Sequence, residues 1–358
     1  MPSKGGYDVS RILVFPAWRT NPYLTMLYSE ARAQGWRASG HIWFGPTLAD
    51  LAALSSGDAF HLHWTAPIAD VPDEEEFAHR IDRLDAALAE AHDRGVRILW
   101  TVHNLMTHDS RYVEQEIRLA TVLAARADTI LVLNSKTADV AAPFYTIPEH
   151  KIVHLQHSSY QGVYPAPLGR DAARAATGIP VTADVVGFTG AIRPYKGVDS
   201  LLAAAERLAG RNPHTAIALA GGANAREIEQ LERILPRHVP VYRQYGVLTD
   251  AEIAAWTEAS DVLVLAYEAI LNSGSMMLAA TLGVPVVLPG LDHLRADFGD
   301  EAWIEFFDPS VDDKAGAIAD AIERVLATRA EKSAAARSFA RTHLPRRMAV
   351  DFLGILGV

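Results

Sequence analysis

No cysteine occurs anywhere in the 358 residues, so neither a disulfide nor a thiolate metal site holds this chain together. A cytoplasmic location is the matching expectation. Long apolar runs are also missing: none approaches the roughly 20 residues that a membrane-spanning helix needs, and the opening MPSKGGYDVS lacks the apolar core of a signal peptide. Any lipid partner is therefore expected to be met from the surface, as a peripheral contact at the inner membrane face. Basic charge is in deficit, with 33 Lys and Arg against 43 Asp and Glu, and the net charge of −10 argues against broad nucleic-acid binding. There is no Asp-x-Asp, so the sequence offers no carboxylate pair of that motif to clamp Mg²⁺ or Mn²⁺.

What is present fits an ordinary globular protein, with 49% hydrophobic and 21% charged residues. The length exceeds one comfortable core and implies two domains of roughly 150 to 180 residues. Strands are expected at 11–15, 61–64, 96–102 and 129–133, with an extended piece at 36–44. Between them, helices are expected at 23–34, 77–94 and 114–125, and Ser135 is placed to cap one running to 140. The pattern loosens at 165–170, as a linker does. A second series follows, with strands at 185–188, 216–220, 239–242, 262–266 and 284–288. Its helices are expected at 200–209, 225–235, 250–258, 276–282, 315–326 and 331–343, with a break at Pro345 and a last apolar turn near 350–356. Repeated βα units predict an α/β fold of two doubly wound, Rossmann-like domains with mostly parallel sheets. Ligands bind such sheets beyond the carboxyl ends of the strands, so two of them facing each other would make a central cleft.

The stretch 262–289 carries the strongest chemical signal. Between a buried strand and a packed helix lies Asn272-Ser273-Gly274-Ser275. Small residues there let the first backbone N–H groups of the helix approach an anion, and the helix dipole favours phosphate at that end. An ordinary serine-capped helix fits the same residues.

The segment Gly187-Phe-Thr-Gly190-Ala-Ile-Arg193-Pro-Tyr195-Lys196-Gly197, the Ser273-Gly274-Ser275 turn and Gly283-Val-Pro285-Val286 resemble the C-terminal domain of GT-B glycosyltransferases. The likeness is to glycosyltransferase family 4 and related bacterial polysaccharide enzymes. His61-Leu-His63-Trp64, Trp100-Thr-Val-His103-Asn104 with His108, and His157-Ser-Ser-Tyr160 resemble the N-domain and interdomain segments of the same group. The resemblance implies an acceptor-binding domain at 1–167 and a nucleotide-sugar domain at 168–343, with a final helix at about 344–358 returning to the first. It also implies a donor of the GDP- or UDP-sugar type, GDP-mannose among them, and a saccharide or lipid-linked saccharide as acceptor.

Departures from that pattern are specific. The position after Gly190, usually an arginine that grips the diphosphate, is Ala191, and Arg193 is the nearest substitute. The two family glutamates, eight residues apart, fall on Ile270 and Leu278; Glu268 lies nearby, but eight residues on is Met276.

Transfer from a nucleotide sugar needs positive charge on the leaving diphosphate and a steered acceptor hydroxyl. Lys196, Arg193 and the amides of Ser273 to Ser275 are the candidates for the first task, in the manner of an oxyanion site, and Gly190 and Asn272 are expected at the same donor site. Glu268 is a candidate for a ribose or sugar contact, and Tyr245, in Gln244-Tyr245-Gly246-Val247, for reading the base. On the acceptor side Asp109 is the first choice of general base, with His103 the alternative, and a plain loop or strand-end role fits both. Asn21, Tyr23, His63, Trp64, Asn104 and His108 are candidate acceptor contacts, the aromatic faces suiting sugars. His61 and His63 share a strand face, but no third ligand is evident, so no metal and no cofactor are expected. The reading is a metal-independent hexosyltransferase. Its alternatives are a non-catalytic nucleotide-sugar-binding protein of the same fold and a nucleotide-sugar 2-epimerase.

Overall fold

The computed structural model describes residues 9–18, 20–107 and 110–357. Its contacts divide the chain into two compact units, Met1–Gln156 with Pro345–Val358, and His157–Leu344. The expected boundary at 167/168 would leave His157 to Tyr160 with the first unit. In the structure the Ser159 amide donates to His343 O, its hydroxyl to Ala340 O, and the Tyr160 amide to Thr281 Oγ1, all within the second unit.

In the first unit the elements run β1 (Arg11–Phe15), α1 (Pro22–Leu27), α2 (Ser29–Ala33), β2 (Arg37–Gly40), α3 (Phe44–Ala52), β3 (Ala59–Leu62), α4 (Ala66–Ala69), α5 (Glu74–Asp93), β4 (Arg97–Val102), α6 (Val113–Arg126), β5 (Thr129–Val132), α7 (Thr137–Ala141) and β6 (Ile152–His154). The six strands form one parallel sheet in the order β2-β1-β3-β4-β5-β6. Strand direction of travel reverses between β1 and β3, which makes their carboxyl ends the switch point where such sheets hold ligands. Helix α5 shows how sequence builds the layer on this sheet. Asp73 caps it by accepting from the Glu76 amide, three glutamates fill the first turn, and Phe77, Ile81, Leu84, Leu88 and Ala91 recur on one buried face.

The second unit runs α8 (Arg170–Thr177), β7 (Asp184–Thr189), α9 (Val198–Ala209), β8 (Thr215–Gly221), α10 (Ala225–Ile234), β9 (Val241–Tyr245), α11 (Asp250–Ala259), β10 (Val262–Val264), α12 (Gly274–Leu282), β11 (Val286–Pro289), α13 (Asp292–Phe298), β12 (Ile304–Phe307), α14 (Lys314–Ala327) and α15 (Arg329–Thr342). Its sheet is also parallel, in the order β12-β11-β10-β7-β8-β9, so the switch point lies between β10 and β7. Helix α12 buries Met276, Met277, Leu278, Ala279, Ala280 and Leu282, apolar all round as a helix inside a layer must be. The α/β, doubly wound fold expected from the sequence is the observed one.

Several local expectations are corrected. The single helix at 23–34 is two, because Tyr28 leaves helical geometry at φ −93°, ψ 6°. The extended piece at 36–44 ends at Gly40, and α3 starts at Phe44. Ser135 does not cap α7: Asn134 Oδ1 accepts from the Lys136 amide, and the turn it makes carries the chain into the helix. The strand at 239–242 is shifted to Val241–Tyr245, which puts Tyr245 inside an edge strand. Pro345 begins a helix rather than only ending one. That helix, α16 (Pro345–Ile355), packs on α1 and α2 of the first unit through Met348, Ala349 and Phe352.

Candidate functional site

In the second unit the ends of β7, β8 and β10 meet closely because glycines replace side chains there. Gly190 follows β7 at φ +133°, and its amide donates to Ala220 O. A Cβ on Gly221, at φ +147°, would stand 1.8 Å from Gly190 O, and one on Gly197, at φ +65°, would stand 2.1 Å from Ala266 O. Only glycine allows these approaches. The amide of Glu268 donates to Tyr195 O at 2.9 Å, tying the loop after β10 to the loop after β7.

The N-terminus of α12 lies against this glycine turn. Ser273 is its cap, accepting from the Met276 amide, and the Ser275 hydroxyl donates to Thr189 O at 3.2 Å. A Cβ on Gly274 would come within 2.8 Å of the Tyr160 hydroxyl, so the phenol sits directly over the first turn. The bend is thus small-residue backbone with one phenol beside it, and Gly190, Gly274 and Ser275 are brought together as expected. Tyr160, the last residue of the His157-Ser-Ser-Tyr160 segment, stands at the helix end.

Two cations flank the turn differently. The Lys196 ammonium lies 4.9 Å from the centre of the Tyr267 ring and 5.8 Å from that of Tyr195. Arg193 instead donates to Ile192 O, Gly222 O and Glu227 Oε2, the last at 2.9 Å. Glu227 also closes the capping box of α10, so Arg193 is lashed to a helix end. Tyr267 is buried, and its hydroxyl has no partner among the described residues. Asn272 precedes the cap and is half-buried, while Glu268 is exposed. Tyr245 donates its hydroxyl to Glu232 Oε1 at 2.9 Å, and burial together with that carboxylate raises the phenol's pKa. Ile270 and Leu278 are both buried, and Ile270 O accepts from His293 Nε2.

In the first unit the switch point holds a buried cluster. Tyr28 Oη is 2.8 Å from His61 Nδ1 and 2.6 Å from His63 Nε2. His61 Nε2 reaches Thr101 Oγ1 at 2.8 Å, and His63 Nδ1 reaches His103 Nε2 at 3.1 Å. Burial lowers the pKa of His61 to about 3; His63 is lowered well below its usual value by burial and by its imidazole neighbours. The rings are held by stacking: Trp64 over His103 at 4.1 Å, Phe352 of α16 over His61 at 5.3 Å, and Tyr23 edge-on to His103 at 5.2 Å. Trp18 covers Trp64 at 4.7 Å. Next to this cluster a pocket of about 270 Å³ opens beyond β1, lined by Val14, Trp18, Leu24, Tyr28, Arg32 and Gly40 among others.

Of the expected acceptor residues, Tyr23, His63, Trp64 and His103 are brought together here, and Asn104 is exposed beside them. Asn21 is a helix cap, its Oδ1 accepting from the Tyr23 amide at 3.0 Å. His108 and Asp109 lie outside the described residues. The sequence reading missed Tyr28, Thr101 and Tyr267, although Thr101 lies within Trp100-Thr-Val-His103-Asn104 and Tyr267 within the stretch 262–289. The shared face of His61 and His63 was legible, and what it presents is a pair of rings gripping one phenol. Among the described residues no group of three or more metal-ligating side chains is found, and no helix is long and apolar enough to cross a membrane.

This fold recurs in known structures across the full length. A sucrose-phosphate synthase from Thermosynechococcus elongatus superimposes with a TM-score of 0.69 at 16% identity, covering 97% of this chain and 98% of that one. Anabaena HepE, solved with UDP-glucose, gives 0.71 at 14% identity, covering 97% and 99%. The fold is that of the GT-B glycosyltransferases. More narrowly, residues 183–328 match the family model described as glycosyl transferases group 1. A GDP-mannose:glycolipid 4-beta-D-mannosyltransferase of Xanthomonas campestris pv. campestris is 24% identical over 281 residues, which is 76% of this chain and 71% of that protein. A second protein of the same description and species is 24% identical over 307 residues, covering 83% and 78%.

Proposed function

We propose that the protein transfers a hexose from a nucleoside-diphosphate sugar, with GDP-mannose the first choice, to a hydroxyl of a saccharide or lipid-linked saccharide, without a metal ion. The observation that carries this is the meeting of the glycine turn after β7, the N-terminus of α12 and the Lys196 ammonium at one switch point. As the glycosidic bond breaks, negative charge gathers on the diphosphate, and amides and an ammonium already in place stabilise it without reorganising. These groups supply what a metal clamp supplies elsewhere. The choice of GDP-mannose and of a lipid-linked acceptor draws support from the description shared by the two Xanthomonas relatives. A lipid-borne acceptor is then met from the membrane surface. The pocket beside Trp18 and Tyr28, with the aromatic faces of Trp64 and Tyr23, is the acceptor side of the proposal.

Incubation with a panel of nucleotide sugars tests it. Consumption of GDP-mannose that requires a glycolipid or saccharide acceptor is the expected result; a changed sugar without any acceptor would point to epimerisation. A second reading, binding without turnover, is favoured by one observation: the positions that correspond to the family glutamates are the buried apolar Ile270 and Leu278. Tight nucleotide-sugar binding with no turnover for any acceptor would establish that reading instead.

A further inference from the structure

The pocket beyond β1 holds a single charge. Its walls are apolar, aromatic or small, Val14, Trp18, Leu24 and Gly40 among them, and of the described residues that line it only Arg32 is charged. The guanidinium is exposed and only loosely bound to the protein. Arg32 Nη2 donates to Ala38 O at 3.5 Å, the outer limit of a hydrogen bond, and the cation stands 5.9 Å from the centre of the Tyr28 ring. Among the described residues no carboxylate pairs with it, because the acids on the surrounding elements are taken. Glu30 of α2 binds Arg346, Asp50 of α3 binds His41, and Asp58, just before β3, binds Arg11. Residues two apart on a helix do not face each other, so Glu30 also points away from Arg32.

The charge is felt inside the pocket. Burial and the neighbouring Tyr23 raise the pKa of the Tyr28 phenol well above its ordinary value, and the Arg32 cation acts against them. Walls of low polarity focus the field of that one cation. Water holds its unspent N–H groups, so an incoming oxyanion displaces solvent and not a protein partner.

We infer that Arg32 is a specificity residue for the acceptor: the pocket takes an acceptor that carries an oxyanion, a sugar carboxylate or a carrier phosphate, with the guanidinium gripping two of its oxygens while a sugar ring lies against Trp18. The planar fork of arginine matches either group, and an aromatic face suits the ring. That the ligand is the acceptor rests on the transferase reading above; that the pocket selects negative charge does not. A neutral acceptor leaves Arg32 in water at no cost, so the selection works by gain for the charged acceptor. Arg32 also ends α2, where any cation complements the helix dipole. Lysine serves that purpose equally but has no fork.

Two matched pairs of acceptors read the selection: an acidic oligosaccharide against its carboxyl-reduced form, and a saccharide on a lipid diphosphate against the same saccharide on an uncharged lipid. Native protein should prefer the charged member of at least one pair by about ten-fold or more in kcat/KM, the size of a charge-assisted contact, and through KM rather than kcat. Arg32→Gln should erase that preference, and Arg32→Lys should keep only part of it. The pair that responds names the source of the oxyanion. No preference in either pair, or a preference that Arg32→Gln leaves intact, overturns the inference.

A binding readout stands apart from turnover. Trp18 lines the same pocket. Its indole ¹H–¹⁵N signal, assigned by its loss in Trp18→Phe, should shift with galacturonate or with inorganic phosphate, much less with galactose, and with none of them in Arg32→Gln. If no acceptor receives sugar, the transferase reading fails and this shift alone decides the pocket. Present and charge-selective, it upholds the anion site; absent with both anions, it overturns it.

Discussion

The Lys196 ammonium rests 4.9 Å from the centre of the Tyr267 ring, and among the described residues no carboxylate pairs with it. Arg193, three residues earlier, spends its charge on Glu227. Of the two, Lys196 therefore keeps a positive charge to offer an anion, steadied by the ring face beneath it. Lys196→Ala should weaken nucleoside diphosphate binding by about 1 to 3 kcal/mol, the usual loss for a charge-assisted contact. Arg193→Ala should weaken it less and lower the melting temperature more. Titration calorimetry and a melt of both variants decide the order; equal affinities for Lys196→Ala and native protein would remove the ammonium from the site.

The unpartnered hydroxyl of Tyr267 makes a paired prediction. A buried donor with nothing to bond costs about 1 to 3 kcal/mol, so Tyr267→Phe should leave stability unchanged or raise it. If the hydroxyl waits for a ligand oxygen, the same change weakens binding of the nucleotide sugar. A variant that is both less stable and fully competent to bind would contradict both halves.

Gly274 tests how close the phenol of Tyr160 stands to the helix end. Alanine favours helix interiors, yet a Cβ here would lie 2.8 Å from the Tyr160 hydroxyl. Gly274→Ala should cost roughly 1 to 3 kcal/mol through overpacking and weaken donor binding. Adding Tyr160→Phe should recover part of the stability. A double variant no more stable than Gly274→Ala alone would show that the two groups do not touch.

Acid should loosen the first unit through its histidines. Burial holds His61 at about 3 when folded, against roughly 6.5 in the unfolded chain. Below pH 6.5 the unfolded state binds the extra proton, so stability is complete above that pH and is lost progressively down to about 3. Each such histidine contributes a slope of about 1.4 kcal/mol per pH unit in that window. His63 adds to it in the first unit, and His157, lowered to about 4 by burial, acts likewise in the second. Melting temperatures from pH 7 to 4 should fall less steeply in His61→Gln than in native protein; parallel curves would mean that His61 is not buried neutral.

Much of this was written in the sequence, and the reason is local. The β-branched runs that become β7, β10 and β11 are buried on both faces, so composition alone marks them. The Ser273-Gly274-Ser275 bend was legible because a cap and a helix start are neighbours in the chain. Helix α3 was not, since Gly45 and Pro46 in its first turn are poor helix formers in general, although Pro is tolerated at that position. Arg193 read as a free cation because its partner, Glu227, comes 34 residues later. Tyr28 fell unremarked inside the single helix expected at 23–34. Its break in that helix, and its bond to two histidines 33 and 35 residues away, exist only once the strands are side by side.

Helix α16 has a consequence for biosynthesis. Phe352 supplies the ring stacked on His61, and Ile355 O accepts from Arg97 Nη1, so the first unit is completed by residues from the far end of the sequence. A ribosome that has finished the first sheet has released a half with an open apolar seat. That seat stays uncovered while nearly two hundred further residues emerge, a length set by the separation of Gln156 and Pro345. Every residue of the second unit is therefore made before α16, and the packing of the first unit is completed only after them.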